Sequence, residues 1–409
     1  MSYQILSEIS SDLISEAGQL KFVRKSIFDA LEPPKQNVSI LKGARGIGKS
    51  TVVLQYLHSK QSSGSKVFYI SADSTLLDQS LSNLALELNK RGGDYLAIDE
   101  IHRYPEWQNE LKTIVDSFRK MKIIVSGSSA IELDIMGSDL SRRHVVIPGR
   151  GLSFREYLDK NHQLNFPVIT LDELVSDYET ICFEMTKRFA ETKIDLIGQF
   201  KSYLRSGYFI SRENYKTDVL FSASLISSIN TIIDSDLPAV HSEIDSLARQ
   251  RIKQLLKVIA KKCPFVPNIS ELGRSLGIAN DNTLKKYLFY LDQSEVLVNL
   301  YQKNKTHKDF PKPQKVLFAN TNYAYAYFNN PEIGTIREIF AASVLKQIGE
   351  ITSPDTGDLL LDDKYLFEIG GKSKTHKQIK KMKNHFVLAD DILIPGDQKI
   401  PLWMIGLLW

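Results

Sequence analysis

A glycine-rich turn followed by a lysine and two hydroxyl residues is the clearest chemical feature of the sequence. It lies within VSILKGARGIGKSTVVLQYL and matches the pattern G-x-x-x-x-G-K-[ST] from Gly43 to Ser50, a segment called the P-loop below. An apolar strand precedes the turn and a helix follows it, which is the context this phosphate-binding motif requires. Glycines let backbone N–H groups approach a phosphate, and the helix N-terminus adds partial positive charge. The pattern predicts a nucleotide site formed by Gly43, Ala44, Arg45, Gly46, Ile47, Gly48, Lys49, Ser50 and Thr51.

Two adjacent acids predict the metal ligand and the general base of the same site. The segment DYLAIDEIH runs as a hydrophobic strand into Asp99 and Glu100. Magnesium prefers oxygen ligands, so Ser50 and Asp99 are predicted to hold Mg²⁺, directly or through water. Lys49 is predicted to reach the β- and γ-phosphates. Glu100 is suited to polarise the water that attacks the γ-phosphate.

Strands and helices alternate around these motifs. Strand patterns occur in KVFYISA and KIIVSGSSA, and helix patterns in TLLDQSLSNLALELNKRGG and PEWQNELKTIVDSFRKM. This alternation predicts a parallel sheet covered by helices. Ser126 and Ser128 follow the last of these strands, where they are expected either to touch the γ-phosphate or its attacking water, or to be plain turn residues.

The composition excludes several classes of protein. The chain has 409 residues, of which 43% are hydrophobic and 24% charged, and this is typical of a soluble protein of two to four domains. The opening MSYQILSEIS lacks the features of a signal peptide, and no apolar run is long enough to cross a bilayer. We therefore expect a cytoplasmic protein with no membrane partner.

Several motifs, spread over nearly the whole chain, resemble one family. In order they are GARGIGKST, YLAIDEIHRYPEWQNELKTIVD, IIVSGSSAIEL, GLSFREYL, YLRSGYF, KVLFANTNYAYAY, YLFEIGGKSK and IPLWMIGLLW. Together they look like the prokaryotic AAA-type P-loop ATPases whose C-terminal half is a domain of unknown function. The resemblance implies an α/β fold with ATP and Mg²⁺ as cofactors, and a strand of Asp99 that is not directly beside the P-loop strand. The expected parts are an AAA-type ATPase domain (1–160), a helical connector (161–250), a winged helix (251–318) and a domain similar to PD-(D/E)XK nucleases (319–409).

The same resemblance implies an arginine that reaches the γ-phosphate from this chain or from a neighbouring one. Arg142 and Arg143, within SDLSRRHVVIPGR, are the candidates, with Arg150 behind them. Adjacent arginines also occur as plain surface or ion-paired residues, so both interpretations stay open.

Basic residues are concentrated in the second half of the chain. Residues 249–315 hold fourteen Lys and Arg against five Asp and Glu, and KSKTHKQIKKMK, from Lys372, holds six lysines and no acid. A short helix from Ser270, a turn at Gly277 and a second helix from about Asn282 are predicted, with KNKTHKDFPK as the tip of a wing. Such a second helix enters the major groove in DNA-binding proteins, whereas other winged helices only pack domains together. Contact with nucleic acid therefore stays open.

The end of the chain has the acids of a nuclease but not its lysine. Asp358 and Glu368 fit the two strand acids of the PD-(D/E)XK pattern, with Glu338 as a third ligand. The position two residues after Glu368 is Gly370, and Lys372 is the next candidate cation. Strand rise places Lys372 roughly 7 Å farther along, so a degenerate site is favoured over a migrated lysine.

These patterns together predict a magnesium-dependent ATP-binding protein. Its function is expected to be ATP hydrolysis that repositions the winged-helix and nuclease-like modules, with ATP and ADP as its ligands. One alternative is a DNA-binding or DNA-cleaving effector that ATP licenses. Another is a nucleotide switch of low turnover. The sequence leaves the biological partner and the oligomeric state open.

Overall fold

The structure is a computed structural model that describes residues 3–33, 38–128, 143–302, 310–328, 330–375 and 384–409. The chain divides into two compact units, Met1–Gly151 and Leu152–Trp409. No helix in the described ranges is both long enough and apolar enough to span a bilayer. The domain boundaries that the sequence analysis places at residues 160, 250 and 318 remain predictions.

A five-stranded parallel sheet forms the centre of the first unit. Its strands are β1 (Val38–Gly43), β2 (Val67–Ser71), β3 (Tyr95–Asp99), β4 (Lys122–Gly127) and β5 (His144–Gly149). The spatial order is β2-β3-β4-β1-β5, and every neighbouring pair runs parallel. Because β4 lies between β1 and β3, the expected separation of the Asp99 strand from the P-loop strand is confirmed. The carboxyl ends of the strands meet at one end of the sheet, which is called the P-loop end below.

Helices cover both faces of this sheet. They are α1 (Tyr3–Gly18), α2 (Lys25–Phe28), α3 (Lys49–Ser62), α4 (Leu81–Lys90) and α5 (Trp107–Ser117), with 3-10 turns at Asp29–Leu31 and Ile101–Arg103. Successive strand residues point to opposite faces. One face joins Ile98 and Val125 to α4 and α5, and the other joins Leu41 and Ile124 to α3. Both faces are buried, which explains the continuous apolar runs of the strands.

The second unit begins with a run of helices, as the sequence predicts. They are α6 (Phe154–His162), α7 (Leu171–Thr192), α8 (Leu196–Ser206), α9 (Asp218–Thr231), α10 (Leu237–Val240) and α11 (Ser246–Lys262), with a 3-10 turn at Ile210–Asn214 and a π-helical turn at Ile232–Asp236. Ser153 and Thr170 each accept a hydrogen bond from the third residue of the helix that follows, and Glu156 and Glu173 complete two capping boxes. These caps fix where α6 and α7 begin.

Two further helices and a β-ribbon follow α11. They are α12 (Ile269–Ser275), α13 (Asp281–Gln293), β6 (Leu297–Leu300) and β7 (Lys315–Phe318), with β6 and β7 antiparallel. Gly277 lies in the turn between the helices with φ of 64°, in the left-handed region that favours glycine. Both helices begin within a residue of the predicted positions. Most of the predicted wing tip falls on residues 303–309, outside the described residues.

A second five-stranded sheet closes the chain. It follows α14 (Thr321–Tyr327) and α15 (Ile333–Leu345), and it contains β8 (Ile351–Thr352), β9 (Leu359–Leu361), β10 (Tyr365–Gly370), β11 (His385–Ala389) and β12 (Lys399–Pro401). The order is β12-β11-β10-β9-β8. Strands β8, β9 and β10 pair antiparallel, whereas β10, β11 and β12 pair parallel. The final 3-10 helix, Leu402–Leu407, is buried throughout.

Candidate functional site

The P-loop is a tight turn between β1 and α3. Gly46 and Gly48 have φ of 82° and 90°, a backbone conformation that strains any residue with a Cβ. Helix α3 begins at Lys49, so the N–H groups of its first turn face back into the loop. Lys49 is only 5% exposed, and its Nζ donates to the carbonyls of Gly43 and Ala44 at 2.9 Å each. The cation is therefore held inside the turn, where phosphate oxygens would compete with these carbonyls.

The requirement for glycine at position 43 comes from a neighbouring strand. Gly43 pairs with Gly149 of β5, and a Cβ built on Gly43 would lie 2.1 Å from the Gly149 carbonyl oxygen. Its φ is not in the left-handed region, unlike that of Gly46 and Gly48. The sequence pattern predicted that Gly43 serves the phosphate, whereas the structure shows that it first permits β1 and β5 to approach.

Asp99 lies at the end of β3 in a network of hydroxyl groups. It is 4% exposed, and its Oδ1 accepts hydrogen bonds from the Ser126 hydroxyl and from the Glu100 backbone N–H. Its Oδ2 accepts a hydrogen bond of 2.7 Å from the Tyr69 hydroxyl. The network fixes Asp99, one of the two predicted magnesium ligands. Ser128, just beyond β4, is buried at the same end of the sheet.

The oxygen donors of Ser50 and Asp99 fit a magnesium ion. In nucleotide sites Mg²⁺ usually takes one or two protein ligands, with waters and phosphate oxygens supplying the rest. Among the described residues, no group of three or more His, Cys, Asp and Glu side chains is arranged to hold a metal ion. The small donor set at the P-loop end is therefore of the kind that a nucleotide-bound ion uses.

Glu100 follows Asp99 in an uncommon backbone conformation. Its φ is 49°, which turns the chain away from the direction of β3. Its Oε2 lies 3.3 Å from Nη2 of Arg45, 3.6 Å from Nε2 of His102 and 3.9 Å from Nε of Arg103. The predicted base is thus tied to the P-loop through Arg45.

A buried arginine supports the P-loop from behind. Arg24, between α1 and α2, is 3% exposed. Its guanidinium donates to the carbonyl of Ile47 at 3.1 Å, to that of Arg150, and to that of Gly151 at 2.9 Å. Arg24 therefore ties the turn of the P-loop to the segment that follows β5.

Comparison with known families assigns this part of the chain. Residues 35–158 match the model of a family described as an AAA domain. This part of the chain is similar to an AAA domain. The match covers the P-loop, Asp99 and Glu100, and it ends at residue 158, shortly after the second unit begins.

One known protein is similar over most of the chain. It is an uncharacterized protein of Methanocaldococcus jannaschii, 25% identical over 412 residues, which span 92% of this chain and 85% of the relative. Among solved structures, DnaA of Aquifex aeolicus bound to AMPPCP is 16% identical with a TM-score of 0.26, over 69% of this chain and 87% of that one. PCH-2 of C. elegans is 15% identical with a TM-score of 0.25, over 49% and 60%. At these TM-scores the two structures carry no argument about this chain.

Two of the candidate arginines, which were expected to reach the γ-phosphate of a nucleotide in the P-loop, lie at different ends of the sheet. Arg143 directly precedes β5, and its guanidinium pairs with Asp116. Because β5 runs parallel to β1, Arg143 lies at the end of the sheet opposite the P-loop, on the order of 20 Å away by strand rise. Arg143 therefore cannot reach a nucleotide in the P-loop of its own chain, and this corrects its candidacy as a γ-phosphate contact within the chain. Arg142 lies outside the described residues, and Arg150 follows β5 at the P-loop end.

All three acids predicted for a nuclease-like site are engaged within the second unit. Glu338, on α15, pairs with Nζ of Lys315 at 2.7 Å. Asp358, before β9, accepts a hydrogen bond of 2.7 Å from the backbone N–H of Ile369. Glu368 lies on β10 and is 3% exposed, and its Oε2 has no hydrogen-bond partner among the described residues.

The cation that meets Glu368 is Lys374 and not the candidate Lys372. Nζ of Lys374 lies 2.5 Å from Oε1 of Glu368, and this hydrogen bond raises the pKa of Lys374. Lys372 is exposed. After β10 the chain turns back, and Lys374 passes over Gly370, where a Cβ would come within 2.8 Å of the lysine side chain. The turn after Gly370 thus brings a lysine that the sequence analysis did not consider to Glu368.

Three residues of these sites escaped the sequence analysis. Tyr69 is in a strand pattern that indicates only burial, and Arg24 lies in a segment without a motif. Lys374 had one signal, the paired glycines at 370 and 371, because such pairs often mark a turn or a bulge. The partners of Tyr69 and Arg24 are distant in sequence, and the contact of Lys374 with Glu368 depends on the turn after Gly370.

Proposed function

We propose that the protein is a magnesium-dependent ATPase whose nucleotide cycle repositions the part of the chain that follows the AAA domain. The observation that carries this proposal is the meeting of Lys49, Asp99 and Glu100 at one end of the parallel sheet, from strands separated by β4. A phosphate-binding turn, a metal-binding carboxylate and a general base are the parts that ATP hydrolysis requires.

Each side chain has a defined task in this proposal. Lys49 exchanges the carbonyls of Gly43 and Ala44 for phosphate oxygens, which are stronger partners for an ammonium group. Ser50 and Asp99 hold Mg²⁺, which supplies charge neutralisation at the phosphates when it is bound. Glu100 accepts the proton of the attacking water.

The contact between Arg45 and Glu100 supports slow turnover. A base that is paired with a cation at 3.3 Å is less available to a water molecule, so Glu100 must leave Arg45 before it can act. The same contact favours the alternative of a nucleotide switch that binds ATP and hydrolyses little of it. The two functions differ in rate and not in the residues that bind ATP.

Two variants test the proposal, with ATP affinity measured by calorimetry and turnover by phosphate release. Lys49→Ala is expected to abolish or greatly weaken ATP binding. Glu100→Gln keeps the shape of the side chain but cannot accept a proton, so ATP binds and turnover falls by ~10²-fold or more. Lys60→Ala is the matched control, because Lys60 is on the same helix and pairs with Glu32 instead.

The outcomes separate binding from hydrolysis. Unchanged ATP affinity in Lys49→Ala would contradict the nucleotide site itself. A parent-like rate in Glu100→Gln would show that Glu100 is not the base, and the switch would then be the better description.

The second unit supports a role in which ATP controls binding to another molecule. Helices α12 and α13 with the antiparallel ribbon β6–β7 have the element order of a winged helix. Lys257, Lys261 and Lys262 are exposed on α11, which precedes them. We include contact with nucleic acid through these basic residues as the second candidate function. Binding of DNA that weakens steeply between low and moderate salt, with and without ATP, is its test.

DNA cleavage is the less supported form of this second candidate. The ion pair between Glu368 and Lys374 occupies one carboxylate oxygen at the position where a nuclease would hold its metal. This pair favours a degenerate site. The proposal as a whole is for a cytoplasmic protein whose ligands are ATP and ADP.

A further inference from the structure

The hydroxyl of Tyr69 contacts one of the two residues that are expected to hold magnesium. Tyr69 is on β2 and is 8% exposed. Its hydroxyl donates to Oδ2 of Asp99 at 2.7 Å. A phenol on β2 thus holds the carboxylate at the end of β3.

The backbone holds Tyr69 in place from both sides. Strand β2 is at the edge of the sheet and pairs with β3, so that Tyr69 lies opposite Ala97. The backbone N–H of Tyr69 donates to Oγ of Ser10 on α1 at 2.8 Å, and Ser10 is 2% exposed. An edge N–H that is buried without a partner would cost free energy, so this bond fixes the strand at Tyr69. The phenol is therefore aimed at Asp99 by its strand as well as by its own hydrogen bond.

The direction of the hydrogen bonds leaves Asp99 able to serve a metal. The Tyr69 hydroxyl is the donor and Oδ2 of Asp99 is the acceptor of their hydrogen bond. Oδ2 of Asp99 accepts from Tyr69 with one lone pair and has a second for a metal or a metal-bound water.

We propose that Tyr69 is a positioning residue of the magnesium site, which fixes the carboxylate of Asp99. This inference rests on the proposed function. Outer partners of metal-binding side chains typically change metal affinity by about 10- to 100-fold, because they fix the orientation of the ligand. Removing the Tyr69 hydroxyl is expected to lower the ATP affinity measured with Mg²⁺ and to leave the ATP affinity measured without metal unchanged.

The test compares ATP affinity, measured by calorimetry, in excess Mg²⁺ and in EDTA. The ratio of the two affinities reports the contribution of the metal without any turnover. In Tyr69→Phe this ratio is expected to fall about tenfold, while the affinity in EDTA is unchanged. Tyr95→Phe is the matched control, because Tyr95 is a buried tyrosine whose hydroxyl donates to a carboxylate, Glu32, at the opposite end of β3.

A second variant shows whether Tyr69 acts through Asp99. Asp99→Asn alone is expected to lower the same ratio. Adding Tyr69→Phe to Asp99→Asn is expected to lower the ratio no further, because Tyr69 acts on the metal only through the Asp99 carboxylate, which is already lost.

Each outcome decides the inference. A parent-like ratio in Tyr69→Phe overturns it, and so does an equal loss of affinity in both buffers, which would indicate a distorted P-loop. Independent, additive losses in the double variant also overturn it. A parent protein that binds ATP in neither buffer overturns the proposed function, and this inference with it.

Discussion

The P-loop itself engages both charged side chains that are expected to act on the nucleotide. Lys49 donates to two carbonyls of the loop, and Glu100 pairs with Arg45. Phosphate oxygens are stronger partners for a cation than carbonyl oxygens are, and they also compete with a carboxylate for an arginine. Binding of a nucleotide therefore has two local consequences, since it draws Lys49 out of the loop and competes with Glu100 for Arg45.

We expect Arg45→Ala to raise both kinetic constants for ATP. KM rises, because a cation close to the phosphates is lost. The rate constant kcat rises by at most about fivefold, because Glu100 loses its nearest partner and partly exposed ion pairs contribute about 0.2–1 kcal/mol. Steady-state phosphate release over a range of ATP concentrations measures both constants.

Arg103→Ala is the control for the effect of Arg45 on Glu100. Arg103 also faces Glu100, but at 3.9 Å and outside the P-loop. Its removal is expected to leave KM unchanged and to alter kcat less than Arg45→Ala does. A fall in kcat in Arg45→Ala would contradict the view that Arg45 restrains the base.

At the scale of elements, local pattern was enough for β1 to β4 and for α3 to α5, but it predicted neither β5 nor the contacts between elements. The apolar runs predicted β1 and β3, and the motif predicted the turn at the start of α3. The role of Gly43 against Gly149 could not be predicted, because it depends on which strand lies beside β1. Tyr69 is a similar case, since its partner depends on the pairing of β2 with β3.

The approach of β1 to β5 can be tested by adding one methyl group. In Gly43→Ala the new Cβ would lie 2.1 Å from the Gly149 carbonyl oxygen, which is backbone and cannot rotate away. We expect the free energy of unfolding to fall by about 1–3 kcal/mol, measured by urea denaturation. Gly334→Ala is the control, because nothing lies within 4 Å of the added Cβ and alanine favours a helix. Equal stability of Gly43→Ala and the parent would contradict this role of Gly43.

At the scale of the whole molecule, the sequence was a better guide to where the elements of the second unit lie than to its chemistry. The two helices before the β-ribbon begin where the sequence predicts, and the acids Asp358 and Glu368 lie by β9 and on β10. The cation that pairs with Glu368 was not identified, because the position of a lysine after a strand depends on whether the chain continues or turns. The relative from Methanocaldococcus jannaschii is similar over 92% of the chain, a span longer than either unit alone.

The nuclease-like site is expected to be structural. Lys374 neutralises a carboxylate that is 3% exposed, so Lys374→Ala leaves a buried negative charge without its cation. We expect that variant to lose about 2 kcal/mol of unfolding free energy, below the ~3–5 kcal/mol of fully buried pairs because water reaches the lysine. Lys372→Ala, two residues away and exposed, is the control and should match the parent.

The chain is accordingly expected to cleave neither linear nor supercoiled DNA, in Mg²⁺ or Mn²⁺, with or without ATP. A metal between Asp358 and Glu368 would have to displace Lys374, whose pKa is raised by the hydrogen bond to Glu368, so the lysine stays charged at neutral pH and competes with the ion. A nuclease needs both the ion and a free lysine to stabilise charge on the phosphate. Gel assays of both DNA forms measure cleavage, with Glu368→Ala and Lys374→Ala beside the parent. Cleavage by the parent that disappears in both variants would contradict a structural role and would make the DNA-cleaving effector the better description of the molecule.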